Sequence, residues 1–290
     1  MSINDKKFKS FLEFYWLRPE NAAAKYFQSS TWADIKWRGK SIDICCGDGV
    51  YVFLHQGGKF DNSFDCFTDT KKNFSHNKKF VDIYNSFSKK YVPKIVNHPI
   101  KNFDVGTDWK TGMLAKSKKL KIFKRLIKHD NNILPLPFHD NEFNFLHSNA
   151  LYWTKNAPIL LKDVNRVLNK NSYAVLEFST EKLLSTIFEL KPFLSKEAFK
   201  ILDRKRSVEM KGIKYNTKEW INHIKKAGFI IEDIRVAWPN KIIVDFWNTG
   251  LRPISHLLIE MANNLNNKNR NKIKKEWVDI MFKILKPLCE

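Results

Sequence analysis

The sequence predicts an α/β protein, a mostly parallel sheet with helices on both faces, and three observations predict it. The run Ser41-Ile42-Asp43-Ile44-Cys45-Cys46 is apolar around one acid and meets the glycine loop Gly47-Asp48-Gly49 before a helical stretch. Residues 102–108 repeat the form as a second strand closed by the carboxylate of Asp108, and residues 110–119 follow as a helix. Strand, helix and strand then alternate through 141–149, 158–168 and 172–179, the pattern of parallel strands joined by crossover helices.

Composition bounds the class. The chain has 290 residues, 43% hydrophobic and 14% aromatic, enough for a large core. Ten glycines and ten prolines are too few for a linker-rich chain. Of the four cysteines, Cys45 and Cys46 are adjacent and Cys66 and Cys289 stand apart, so neither a disulfide framework nor a zinc pair is written. The histidines are scattered, and no metal site is expected. No apolar signal core follows Met1, and no apolar run approaches the roughly 20 residues that span a bilayer. A soluble, cytoplasmic protein in a reducing compartment is expected. The formal net charge of +21 points to nucleic acid or an anionic membrane surface. The lysines are spread through the chain without an arginine-rich run, however, which fits compositional drift plus a basic surface.

In chain order, residues 1–38 read as an N-terminal helical arm. Phe8, Phe11, Leu12 and Tyr15 recur at helical spacing, and Pro19 opens a second helix. Arg18 and Glu20 are expected as a surface ion pair or as part of a ligand mouth. The first strand, 41–46, hands over to a helix from Val50 that ends at Gly57-Gly58. Residues 59–100 form an aromatic-rich insertion, either a substrate-side cap or a packing layer. At the end of the next strand Asp108 can accept two hydrogen bonds from a ribose diol; Asp69 is a rival with a poorer strand before it. A short third strand leads to Asp130-Asn131 and the proline-stiffened 134–138. The turn Asn169-Lys170-Asn171-Ser172 separates helix from fifth strand. Residues 181–216 form a second, basic helical insertion, and Thr217 caps a helix that ends at Gly228. Residues 230–236 and 242–247 read as a terminal hairpin, and 249–290 as a helical extension. The core is thus expected over residues 39–248.

The loop after the first strand separates two ligand classes. A dinucleotide fingerprint needs a third glycine, and Tyr51 and Val52 follow Gly49 instead. A carboxylate at Asp43 would repel a pyrophosphate and suit a ligand carrying an ammonium group. The motif Asp43-x-Cys45-Cys46-Gly47-x-Gly49, the acid-ended second strand, Asp130 before Leu134-Pro135-Leu136-Pro137-Phe138, and the strand-helix-strand around Arg166-Val167-Leu168 come in one order. That order resembles the class I S-adenosylmethionine (SAM) methyltransferases, in the branch of the ubiquinone and menaquinone methyltransferases. Asn144 stands where an aspartate is usual, and Asn169–Ser172 replaces the usual turn. The resemblance implies a Rossmann-like sheet of seven strands. It implies SAM as cofactor, held by Asp43, Cys45, Cys46, Gly47, Asp48 and Gly49, by Asp108 and Trp109, by Asp130 at the adenine, and by Asn131 and Asn149.

Methyl transfer is an in-line displacement that asks the enzyme mainly to align its reactants and exclude water. His147 is the candidate base, with His139, His129 and His55 behind it. Tyr152 and Trp153 flank the acceptor or sulfonium, or pack as core. Asn149 can also orient an acceptor. The expected acceptor is a small molecule. An RNA methyltransferase is the alternative suggested by the charge, although no base-methylating tetrad follows the fourth strand. A non-catalytic partner protein with this fold is the third reading, set against the intact Asp43, Asp108 and Asp130.

Overall fold

In the computed structural model the residues described are 3–68, 84–203, 207 and 215–290. Helix α1 (Asp5–Phe14) starts where Asn4 accepts the Lys7 amide at 3.0 Å, and it buries Phe8, Phe11 and Leu12. Helix α2 (Pro19–Thr31) begins at its proline. Arg18 pairs with Glu20, but the pair is not on the surface: the Glu20 carboxylate is buried.

Strand β1 (Ser41–Ile44) is fully buried and ends two residues earlier than the apolar run suggested. Cys45 leaves it with φ +61°, so the cysteines belong to the loop. Helix α3 (Val50–His55) follows, and Gly57, at φ +82°, ends that turn. The described part of the first insertion is a small antiparallel ribbon, β2 (Lys59–Phe60) with β3 (Ile95–Asn97). Its buried rings pack on α1, with Phe14 and Phe60 centroids 4.9 Å apart. Phe74, Phe80 and the rival acid Asp69 lie outside the described residues.

Strand β4 (Phe103–Asp108), helix α4 (Thr111–Leu120), strand β5 (Phe123–Lys128), strand β6 (Phe143–Ser148), helix α5 (Ala157–Val167) and strand β7 (Leu168–Leu176) complete the sheet. Its five strands are all parallel, in the order β5-β4-β1-β6-β7. The chain turns left of β1 for its next two strands and right for the last two, so the strand order reverses between β1 and β6. Crevices at such a point bind ligands in open α/β sheets. The residues 169–172 read as a turn are a break in β7: the register jumps from Phe143↔Leu168 to Phe145↔Tyr173, and Asn171 takes φ +58°.

Among the described residues the sheet has five strands rather than the seven expected, because the terminal hairpin is not formed. Residues 230–236 carry no strand, and 241–246 are helix α9, after α6 (Ser185–Leu190), α7 (Lys196–Asp203) and α8 (Thr217–Lys226). The run Ile242-Ile243-Val244 has β-type residues, but its burial is helical: Ile243, Trp247 and Leu251, each four apart, are buried and Ile242 is not. Asn240 caps the helix at the Ile243 amide, and Trp247 Nε1 donates to the Glu20 carbonyl at 2.9 Å. Helix α8 is capped one residue before the expected Thr217, by Asn216, which forms a reciprocal capping box with Glu219.

Helix α10 (Arg252–Asn263) and the long α11 (Asn267–Cys289) end the chain. Helix α11 lies against α1, with Phe282 5.9 Å from Phe8, and reaches the insertion through a buried pair, Arg270 Nε to Asp65 at 2.5 Å. The apolar core therefore splits by sheet face. One side joins α1, α2, α3, α11 and the insertion, and the other joins α5 and α8 under Ile42, Ile44 and Leu146. Among the described residues no helix is long and apolar enough to cross a membrane.

Candidate functional site

The C-terminal ends of β1, β4 and β5 meet at the glycine loop. The Cys46 amide donates to the Thr107 carbonyl at 2.8 Å, and the Gly47 amide to Asp108 Oδ2 at 3.0 Å. Asp108 Oδ1 accepts the Lys110 amide at 2.8 Å, so one carboxylate ties the loop to the start of α4. Burial pushes the Asp108 carboxyl up, and the two amides oppose that shift. Asn131 Nδ2 donates to Cys45 Sγ at 2.8 Å, which brings the third strand's exit onto the loop. Burial pushes the Cys45 thiol up to about 12, so it is present as the thiol. Asp48 Oδ1 accepts the Val50 amide at 3.1 Å and helps to start α3.

Several acceptors here keep unused capacity. Each Asp108 oxygen accepts one amide and retains a lone pair. Asn131 Oδ1 is buried without a partner, as is Thr107 Oγ1. These groups suit a ligand with ribose hydroxyls and an exocyclic amine, and to that extent they fit an adenosyl cofactor. The glycines divide their work. A Cβ on Gly49, at φ +74°, would lie 2.6 Å from Ser117 Oγ and 3.1 Å from two core atoms. A Cβ on Gly47, at φ +58°, meets only Met113 Sδ, at 3.6 Å. Gly49→Ala is therefore expected to cost about 2 kcal/mol of stability in urea unfolding. Gly47→Ala should cost about 1 kcal/mol, and its added methyl should tell more on ligand affinity than on the midpoint.

Asp130 has a half-buried carboxylate that accepts the Asn132 amide at 3.0 Å and its side-chain amide at 2.8 Å, holding the pKa down. Asn132 in turn accepts the Lys155 amide at 2.8 Å, joining this turn to the segment after β6. Trp109 and Trp153 are largely exposed, and Tyr152 and Asn149 are half-buried.

Asp43 and His147 do not occupy the places expected of them. The Asp43 side chain lies under the crevice, where Oδ1 sits 2.7 Å from His147 Nδ1. The other ring nitrogen, Nε2, is 3.1 Å from Glu177 Oε1. Burial alone would lower the His147 pKa, but Asp43 and Glu177 override it and hold the imidazolium up to about 9. The ring is fully buried and stacks on Trp32 at 4.6 Å. An imidazolium with both N–H groups engaged has no lone pair for an acceptor's proton, so the role of general base does not fit His147. The same Glu177 oxygen accepts the Tyr51 hydroxyl at 2.5 Å, and Trp32 Nε1 donates to Tyr51 at 2.9 Å. The result is one buried chain, Asp43–His147–Glu177–Tyr51–Trp32.

Glu177 was missed in the sequence because residues 172–179 read as one continuous strand. The strand stops at Leu176, and Glu177 is an acid at its C-terminal end, the signal that singled out Asp108. Tyr51, two residues beyond Gly49, and Lys25, on α2, carried no such signal. Among the described residues no group of histidines, cysteines and carboxylates is placed to hold a metal ion.

No family model matches this sequence, and no curated protein matches it. The solved structures to which the chain is similar include a SAM-dependent methyltransferase from Thermotoga maritima, 15% identical with a TM-score of 0.44 over 74% of this chain and 75% of that one. Another is a SAM-dependent methyltransferase from Mesorhizobium loti, 16% identical with a TM-score of 0.42 over 74% and 86%. A third is the YcgJ protein from Bacillus subtilis, 12% identical with a TM-score of 0.42 over 86% and 87%.

Proposed function

We propose that the chain is a methyltransferase that binds SAM along the C-terminal edge of β1, β4 and β5 and methylates a small-molecule acceptor. The observation that carries this reading is the convergence of the glycine loop, Asp108 and Asn131 on one edge, beside the point where strand order reverses. Asp108 would take the ribose hydroxyls, and Asn131 Oδ1 with Asp130 the adenine amine. Gly47 would let the backbone approach the ligand. Bound there, SAM supplies an electrophilic methyl on a sulfonium. The protein's share is to orient the acceptor and exclude water. The Asp43–His147–Glu177 chain acts as a positioning device beneath the crevice.

Calorimetric titration of the purified protein with S-adenosylhomocysteine tests this. Micromolar binding is expected, weakened on the order of tenfold in Gly47→Ala. Absence of binding by a folded protein would sink the reading. Asp43→Ala is a poor variant for this purpose, because it strips the buried imidazolium of a partner and perturbs the fold first. RNA is the second acceptor class that the net charge of +21 supports. Its mark would be retention at low salt, lost steeply as salt rises.

A further inference from the structure

The buried chain beneath the crevice ends in a carboxylate oxygen without a hydrogen-bond partner. Glu177 Oε1 is fixed by the Tyr51 hydroxyl at 2.5 Å and the His147 ring at 3.1 Å, so the carboxylate cannot turn. Its other oxygen, Oε2, is buried and has no hydrogen-bond partner, and the side chain is only 9% exposed. A buried carboxylate oxygen left without a donor carries a desolvation cost that a ligand donor would relieve.

A cation already stands nearby. The ammonium group of Lys25 lies over the Tyr51 ring at 5.3 Å from its centroid and over Tyr15 at 5.9 Å. Burial lowers its pKa, and the carboxylates of Asp48, Glu177 and Asp43 act on it in the opposite sense. Aromatic faces and fixed carboxylates around one point are the elements that hold organic ammonium ions. Tyr51 donates to Glu177 and, with Tyr15, faces the Lys25 ammonium group, so these side chains gather around a place suited to positive charge.

We propose that Glu177, Tyr15 and Tyr51 form the acceptor subsite, that the acceptor is an organic amine whose N–H groups reach Glu177 Oε2, and that Lys25, whose ammonium group lies over both rings without an ion pair to Glu177, takes up space beside Oε2 that the amine needs. The inference rests on the methyl-transfer reading for the word acceptor, while the ammonium site itself can be tested without it. A hydroxyl could donate to Oε2, but it would gain no cation–π attraction from the rings.

The test removes the internal occupant and supplies a free one. Lys25→Ala is titrated with benzylammonium chloride, followed by ligand-observed NMR, and with benzyl alcohol as the neutral analogue of equal size. The amine should bind Lys25→Ala about tenfold or more tighter than the unsubstituted protein, while the alcohol should gain little. Glu177→Gln on the Lys25→Ala background should abolish the gain. The proposal is overturned if Lys25→Ala gains no affinity for the amine, if the alcohol gains equally, or if the gain survives Glu177→Gln. Should the double variant not fold, the amine-against-alcohol comparison in the single variant still decides. Calorimetry with S-adenosylhomocysteine runs beside it. Amine binding without cofactor binding removes the methyl-transfer reading and leaves the ammonium site, and the reverse result removes the site alone.

Discussion

His147→Ala is expected to lower stability by about 3–5 kcal/mol, the range for removing one partner of a buried ion pair. The loss does not come from cavity volume alone. Asp43 and Glu177 would remain buried in dry surroundings with no cation between them. The variant should therefore recover part of the loss on acidification, as one carboxyl takes up a proton. The unsubstituted protein should behave differently. Its imidazolium titrates at about 9, against roughly 6.5 in an unfolded chain, so the folded state holds the proton more tightly. The contribution is complete below pH 6.5 and is lost as pH rises toward 9. Integrated over that window it amounts to about 3 kcal/mol. Lys7, pushed down to about 8 by burial, works in the opposite direction above pH 8, which leaves pH 6.5–8 as the cleaner range. Urea midpoints for both proteins across pH 5–9 measure all of this. A parallel decline of the two curves between pH 6.5 and 8 would refute the charged clamp.

The same cluster shows what the sequence could and could not convey. Asp43, Gly47, Gly49 and Asp108 were legible because each lies where a local pattern changes, at a strand end or in a tight loop. The preference for Asp108 over Asp69 rested on strand, acid and helix in succession, and Asp108 does close a strand paired in parallel with β1. The place of Asp43 near a strand end was legible, but its buried partner was not. His147 is 104 residues away and meets Asp43 only because β6 pairs with β1 in the register Asp43↔His147. Register of that kind is set by packing on both faces, and a single chain does not print it. The terminal hairpin failed for a related reason. Ile242-Ile243-Val244 has β propensity, but propensity is a weak preference beside burial of Ile243, Trp247 and Leu251 along one helical stripe. Lys25 gave no signal because a lysine on an amphipathic helix is ordinarily a solvated one, and only the rings of Tyr15 and Tyr51 make this one different.

Asp108→Ala should weaken S-adenosylhomocysteine binding on the order of 10² to 10⁴-fold, the loss expected for two hydrogen bonds to a charged acceptor. The proposed ribose contact is only part of the reason. The same carboxylate accepts the Gly47 amide at 3.0 Å and the Lys110 amide at 2.8 Å, so alanine also releases the loop from α4. Asparagine is expected to be little better, although it keeps the shape. Both oxygens of Asp108 face backbone donors, and an amide side chain must turn its NH₂ toward one of them. A donor facing a donor in a buried site is worse than a missing bond. The Asp130 carboxylate is more exposed and spends its acceptors on Asn132, so Asp130→Ala should cost nearer tenfold. The order Asp108→Ala, then Asp108→Asn close behind, then Asp130→Ala can be read from one set of calorimetric titrations. Binding by Asp108→Ala within threefold of the unsubstituted protein would show that the ribose is held elsewhere, and Asp108 would then remain only the tie between the glycine loop and the start of α4.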